Sequence, residues 1–240
     1  MPNAEKFLLL GAVTLASVLI AQELDKAVTR RDAAMTGIDL AEIEPPTPAP
    51  TETPTLLSLA PSPTGFPDTL TACKGMAPSF GTNVDRDLVI TDYKQLVMAE
   101  GSVRLATAPV GGGCLSSLFG LRNGRLHKGL DFYNRDAVPI LAAGDGEIRR
   151  QRYHRDYGNM VVIDHGRGVF TRYAHLEGFA GAAEGDRVMA GQVLGMMGNS
   201  GNRSIPRHLH YEVLTGTWGA RAGSFALTPI DVLALPEPDG

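Results

Sequence analysis

From residue 103 onward, apolar and polar positions alternate in short runs that are cut by turn-forming residues. The runs fall at 103–108, 140–143, 146–153, 160–164, 168–173, 187–194 and 208–215, with turn clusters between them such as Tyr157-Gly158-Asn159, His165-Gly166-Arg167-Gly168 and Gly198-Asn199-Ser200-Gly201. Alternation of this period with turns at this spacing predicts strands joined by hairpins, and so a mainly β, antiparallel domain. The last run carries the clearest pattern. As a strand, residues 207–214 place Leu209, Tyr211 and Val213 on one face, towards a core, and His208, His210 and Glu212 on the other, as a polar site. Upstream, residues 92–100, with Thr91 as N-cap and Gly101 as a stop, read as a short helix.

The N-terminal part is patterned differently. Residues 7–21 carry no charge, follow Lys6 and precede the polar Gln22, Glu23 and Asp25. A helix of this length spans roughly 22 Å against a hydrocarbon core of about 30 Å, so residues 1–21 read as a signal peptide or a short signal anchor. Thr14-Leu15-Ala16 and Leu19-Ile20-Ala21 are poor small-x-small cleavage sites, which favours a retained anchor. Residues 22–43 have the composition of a helical stalk. Residues 44–68 then carry Pro45, Pro46, Pro48, Pro50, Pro54, Pro61, Pro63 and Pro67 among Thr and Ser. So much proline removes backbone donors and leaves too little apolar content to order the chain, which marks a linker with a reach on the order of 70 Å. The expected organisation is completed by a pre-domain segment at 69–113 and the main domain at 114–240. An exported protein, periplasmic and tethered to the inner membrane, is the expectation.

Composition narrows the function. With 22 Lys and Arg against 26 Asp and Glu, the formal charge is -4, which excludes nucleic acid as the default partner because phosphate neutralisation needs a basic surplus. The 28 glycines and 16 prolines beside 6% aromatics suit short strands and many turns. Two cysteines, Cys73 and Cys114, cannot build a four-thiolate metal site. In an exported protein they are expected to form a disulfide that pins the pre-domain segment to the β domain.

The six histidines differ in context. His208-Leu209-His210 puts two imidazoles on one strand face, where a metal or a catalytic role gives a reason for the pairing, although alone such a pair more often marks a solvated edge. His127-Lys128-Gly129-Leu130-Asp131 spaces an imidazole and a carboxylate so that both can reach one cation. His175 sits in Tyr173-Ala174-His175-Leu176. His165 reads as structural or solvated within a hairpin, and His154, inside the basic run Arg149, Arg150, Arg152 and Arg155, reads as part of a solvated face.

Taken in order, these pieces, with Ser116-Ser117-Leu118-Phe119-Gly120-Leu121-Arg122, Val138-Pro139-Ile140, Ala143-Gly144-Asp145-Gly146, Gly185 with Val188 and Gly191, and Gly198-Asn199-Ser200-Gly201, resemble one family. The stretch 114–216 is similar to the lysostaphin-type, or LytM-type, zinc metallopeptidases that cut peptide bonds in bacterial peptidoglycan. The resemblance implies a β fold, with His127, Asp131 and His210 as zinc ligands and His175 and His208 as catalytic histidines. Its one small departure is Asp136-Ala137, where a Gly-Thr pair often precedes the Val-Pro-Ile run. It implies an endopeptidase acting on peptidoglycan crosslinks. A non-catalytic LytM-type module that binds or activates a cell-wall amidase is the alternative, and an exported bacteriolytic toxin a third reading; relatives of the non-catalytic kind have lost metal ligands that this sequence keeps.

Overall fold

The computed structural model describes residues 65–75, 83–122 and 124–238. The targeting segment, the stalk and all but the end of the proline-rich linker lie outside the described residues. Among the described residues no helix is long and apolar enough to cross a membrane.

The strands are β1 (Leu96–Ala99), β2 (Val103–Ala106), β3 (Cys114–Ser117), β4 (Gly120–Arg122), β5 (Arg125–His127), β6 (Leu130–Tyr133) and β7 (Pro139–Leu141). They continue as β8 (Gly146–His154), β9 (Gly158–Asp164), β10 (Val169–Phe179), β11 (Arg187–Val188), β12 (Val193–Met197), β13 (His208–Thr215) and β14 (Thr228–Ile230). Ten of them form one sheet, in the order β11-β8-β9-β10-β13-β6-β3, with β12 joining β10 to β7 and β14 beside β13. The strand pairs of this sheet are antiparallel, as the alternating pattern predicts.

The central strands are covered on both faces. Val161, Ile163, Val169, Tyr173, Leu209, Tyr211 and Val213 enter the main core with Leu105, Leu115, Leu130 and Phe132. Met160, Val162, Phe170 and Leu214 point the other way, into a smaller cluster with Leu227, Tyr157 and Trp218. This is why residues 160–163 read as an unbroken apolar run. Burial of both faces removes the need for a polar alternate.

Two local expectations are corrected. Residues 92–100 are not a helix: β1 pairs with β2, Ala99 opposite Val103, and Val97 and Ala99 are buried in the core. Glu100 and Gly101 both have left-handed φ angles, 46° and 66°, and the Ser102 N–H donates to the Ala99 carbonyl, so the residue read as a helix stop is part of a hairpin turn. Local helix propensity is weak here and pairing with β2 overrides it. Residues 187–194 are not one strand either. The Gln192 N–H closes a turn on the Met189 carbonyl, Gly191 has φ 81°, and the two halves pair with different neighbours, β11 with β8 and β12 with β7 and β10. The run at 168–173 extends to Phe179, while 208–215 keeps its predicted bounds.

The segment before β3 shares the main core: Leu70, Ile90, Val97 and Leu105 pack with residues of the large sheet, and Tyr211 donates its hydroxyl to the Ala106 carbonyl. Cys73 and Cys114 form a disulfide across a separation of 41 positions, next to backbone bonds from Leu115 to Thr71 and from Cys73 to Leu115. Closing a loop of this size removes unfolded-state entropy worth about 4 kcal/mol. The paired variant Cys73→Ser and Cys114→Ser should therefore unfold at a distinctly lower urea concentration, with a loss approaching that figure. A loss below about 1 kcal/mol would show that the crosslink contributes little through chain entropy.

His165 is structural. One ring nitrogen bonds the Asp145 carbonyl and the other the Thr171 hydroxyl, each at 2.7 Å, and Thr171 passes the chain on to the Tyr173 hydroxyl and the Ala143 N–H. Burial pushes its pKa down.

Candidate metal centre

β13 brings the site together. Its pairing with β6 sets His210 opposite Asp131 and His208 opposite Tyr133, and its pairing with β10 sets His210 opposite Ala174 and Glu212 opposite Arg172. His127 ends β5, three residues before β6 begins. Between them Gly129 passes so close to β13 that a Cβ there would overlap the Tyr211 carbonyl, which is why a residue without a side chain stands between His127 and Asp131.

His127, Asp131 and His210 are buried and converge. Asp131 Oδ1 lies 3.1 Å from His127 Nε2 and 2.8 Å from His210 Nδ1, and these two nitrogens are 3.1 Å apart. The outer nitrogen of each ring is already engaged: His127 Nδ1 lies 2.7 Å from the Leu118 carbonyl and His210 Nε2 lies 2.9 Å from Glu212 Oε1. Carbonyl and carboxylate oxygens only accept, so each outer nitrogen carries a proton and donates it. In the neutral rings the lone pairs of the inner nitrogens then meet the Asp131 carboxylate with no donor among them. A metal ion, or a proton on one of the inner nitrogens, satisfies such a centre.

Without a metal ion, a proton on an inner nitrogen takes that place. Burial raises the Asp131 pKa, but hydrogen bonds from His127 and His210 outweigh it and hold the carboxyl well below the usual carboxylate range. Burial likewise opposes charge on His210, yet bonds to Asp131 and Glu212 lift it to about 9. The set of two imidazoles and one carboxylate, each imidazole braced by an outer acceptor, fits zinc, and three protein ligands are the number found in catalytic rather than closed structural sites.

His175 and His208 stand beside this centre with ring centroids 4.6 Å apart, and the His175 ring is 6.2 Å from that of His210. His175 reaches the site through a break in β10. The pairing with β9 shifts register between Tyr173 and Leu176, and His175 takes a left-handed φ of 64°, unusual for a bulky residue. Regular alternation would send position 175 to the core with Tyr173; the bulge turns it towards His208. Its Nδ1 bonds the Ser200 carbonyl at 2.9 Å, and burial holds its pKa down at about 4, so the ring is neutral at neutral pH. His208 is half-buried, with Nδ1 on the Pro206 carbonyl at 2.9 Å.

All five residues singled out by the motifs thus meet in one place, while His165 and His154 lie outside it. The His154 ring is half-buried against Phe225 and Tyr157 rather than fully solvated, and Arg149 and Arg150 approach the Trp218 ring. Glu212, on the polar face of β13, is fully buried and paired with Arg172. Arg172 and Tyr157, its other neighbours, carry no sequence signal that points to the site, because their approach depends on the pairing of distant strands.

The comparisons with known proteins bear on the same residues. A DD-carboxypeptidase/endopeptidase, Mpg, of Neisseria meningitidis is 40% identical over 131 residues, 52% of this chain and 28% of that protein. Peptidoglycan DD-endopeptidase ShyA of Vibrio cholerae is 41% identical over 88 residues, 37% of this chain and 20% of its own length. Glycyl-glycine endopeptidase ALE-1 of Staphylococcus capitis is 35% identical over 98 residues, 40% of this chain and 26% of that one. The chain spans between about a fifth and just over a quarter of the length of these relatives. The region that carries both the His127 to Asp131 motif and the His208 to His210 motif, residues 125–221, matches the model of peptidase family M23.

Proposed function

We propose that this protein is a zinc-dependent endopeptidase that hydrolyses peptide crosslinks of bacterial peptidoglycan. The observation that carries the reading is the convergence of His127 Nε2, Asp131 Oδ1 and His210 Nδ1 on one point, with two further imidazoles alongside, in a region that matches the M23 family model. His127, Asp131 and His210 hold the metal. Zinc held there would supply the Lewis acidity that activates water for attack at neutral pH.

The remaining steps fall to the chain's own groups. His175, neutral and with Nδ1 fixed on the Ser200 carbonyl, has Nε2 free to take a proton from the attacking water. His208, also anchored through Nδ1 on the Pro206 carbonyl and more exposed, donates from Nε2 to the oxygen on which charge develops when its ring carries both protons. The proton that His175 accepts passes to the amide nitrogen as the C–N bond breaks, which restores the neutral ring.

The apolar segment 7–21 and the proline-rich stretch 44–68 support a domain exported to the envelope and held on a membrane tether, within reach of the wall. The Cys73–Cys114 disulfide suits an oxidising compartment of this kind. Nucleic acid has no place in this reading, given the net charge of -4.

Mass spectrometry of material released from purified peptidoglycan tests the proposal. Peptide fragments with new termini at the crosslinks, formed by the purified protein and suppressed by a chelator, are the expected result. Release of cut glycan strands with intact peptides, or no release from zinc-loaded protein, would overturn it.

A further inference from the structure

We propose that Glu212 and Arg172 are positioning residues for His210, fixing the ring with its proton on Nε2 so that Nδ1 is directed at the metal point. The inference rests on the reading that His127, Asp131 and His210 hold zinc.

Glu212 and Arg172 face each other across β13 and β10, and both are almost wholly inaccessible, at 0% and 1% exposure. Each oxygen of the carboxylate has a definite task. Oε1 accepts from His210 Nε2 and from the Tyr157 hydroxyl, both at 2.9 Å, while Oε2 accepts from Arg172 Nη1 at 2.5 Å. The guanidinium is held in turn: Nη2 donates to the Ser224 carbonyl at 2.8 Å, and its carbon lies 4.8 Å and 4.7 Å from the centres of the Tyr157 and Phe225 rings. The carboxylate therefore cannot swing away from His210, and its geometry leaves only one direction for the ring.

Chemistry then sets the tautomer. An ionised carboxylate accepts and does not donate, so the proton shared with it belongs to Nε2, and Nδ1 is left with its lone pair towards Asp131 and His127. A carboxylate behind a ligating imidazole also makes the ring a stronger donor to metal. The two ligating rings are supported unequally, since His127 leans on the neutral Leu118 carbonyl whereas His210 leans on a charge. Stability alone does not account for the arrangement. Burying two ions is costly, and well-packed apolar residues in such places are often no worse for folding.

The experiment measures zinc affinity by chelator competition in the parent, in Glu212→Gln and in the double variant Arg172→Met with Glu212→Leu, alongside the unfolding midpoint of each metal-free protein. The expected result is a zinc Kd raised about 10- to 100-fold in both variants, with the metal-free midpoint of the double variant close to that of the parent. The visible spectrum of the cobalt-substituted site should change with it. A Kd equal to the parent's in a folded variant would overturn the inference. Nitrogen chemical shifts of the zinc-loaded parent give a readout that needs no variant: His210 coordinated through Nδ1 and protonated at Nε2 supports the assignment, and the opposite tautomer rejects it. A parent that binds no zinc would instead sink the reading of the metal centre, so the two failures are distinguishable.

Discussion

His127→Ala, Asp131→Ala and His210→Ala should each leave a folded protein that holds well under one zinc per chain and releases peptides from peptidoglycan at a rate lower by at least about a thousandfold. The size follows from what the metal supplies, since acidifying water from a pKa near 15.7 to about 7 is the largest single contribution available at neutral pH. Each ligand is one of three, and two imidazoles or one imidazole with a carboxylate hold the ion far less well. Removal of one ligand also disturbs the others, because Asp131 Oδ1 lies 3.1 Å from His127 Nε2 and 2.8 Å from His210 Nδ1. Elemental analysis of the purified variants beside a turnover assay checks this. Full zinc content in all three variants would refute the assignment of the ligands, and chelation of the parent should reproduce their loss of activity.

The second large effect separates metal binding from proton transfer. His175→Ala and His208→Ala should keep about one zinc per chain and lose turnover by roughly 10²- to 10⁴-fold, the usual contribution of a general acid or base. Neither ring is among the three converging ligands, and each is anchored through Nδ1 to a backbone carbonyl, on Ser200 and on Pro206. A module that only binds or activates an amidase predicts the reverse, with both variants behaving as the parent and the parent releasing no peptides without its partner. If zinc-loaded parent is inert on peptidoglycan and still stimulates an amidase after both histidines are replaced, the peptidase reading fails.

Much of this site could be read before any strand was paired. The four-residue spacing of His127 and Asp131, the His208-x-His210 pair and the alternation that buries Leu209, Tyr211 and Val213 are local properties, because a strand fixes the side of each residue by its period alone. Turn chemistry at Gly158 and at residues 165–168 likewise announced the hairpins around β9. The sequence by itself thus determined the β class and the core face of β13, and its resemblance to the LytM-type family pointed to the five residues that meet.

What only the tertiary structure decided depends on which distant strands become neighbours. Residues 92–100 are compatible with a helix taken alone, and become a strand because β2 offers a partner that buries Val97 and Ala99. His175 lies at a position that alternation assigns to the core; the bulge between Tyr173 and Leu176 re-aims it, and a bulge is a mismatch between two strands that neither strand encodes alone. Arg172 reaches Glu212 across 40 positions of chain, and Glu212 reaches His210 on the same strand face, so the ion pair behind the metal point exists only once β10 and β13 are in register. Local sequence sets which way a side chain points along its own strand, whereas register between strands is fixed by the summed packing of both faces, and that sum includes residues far away in the chain.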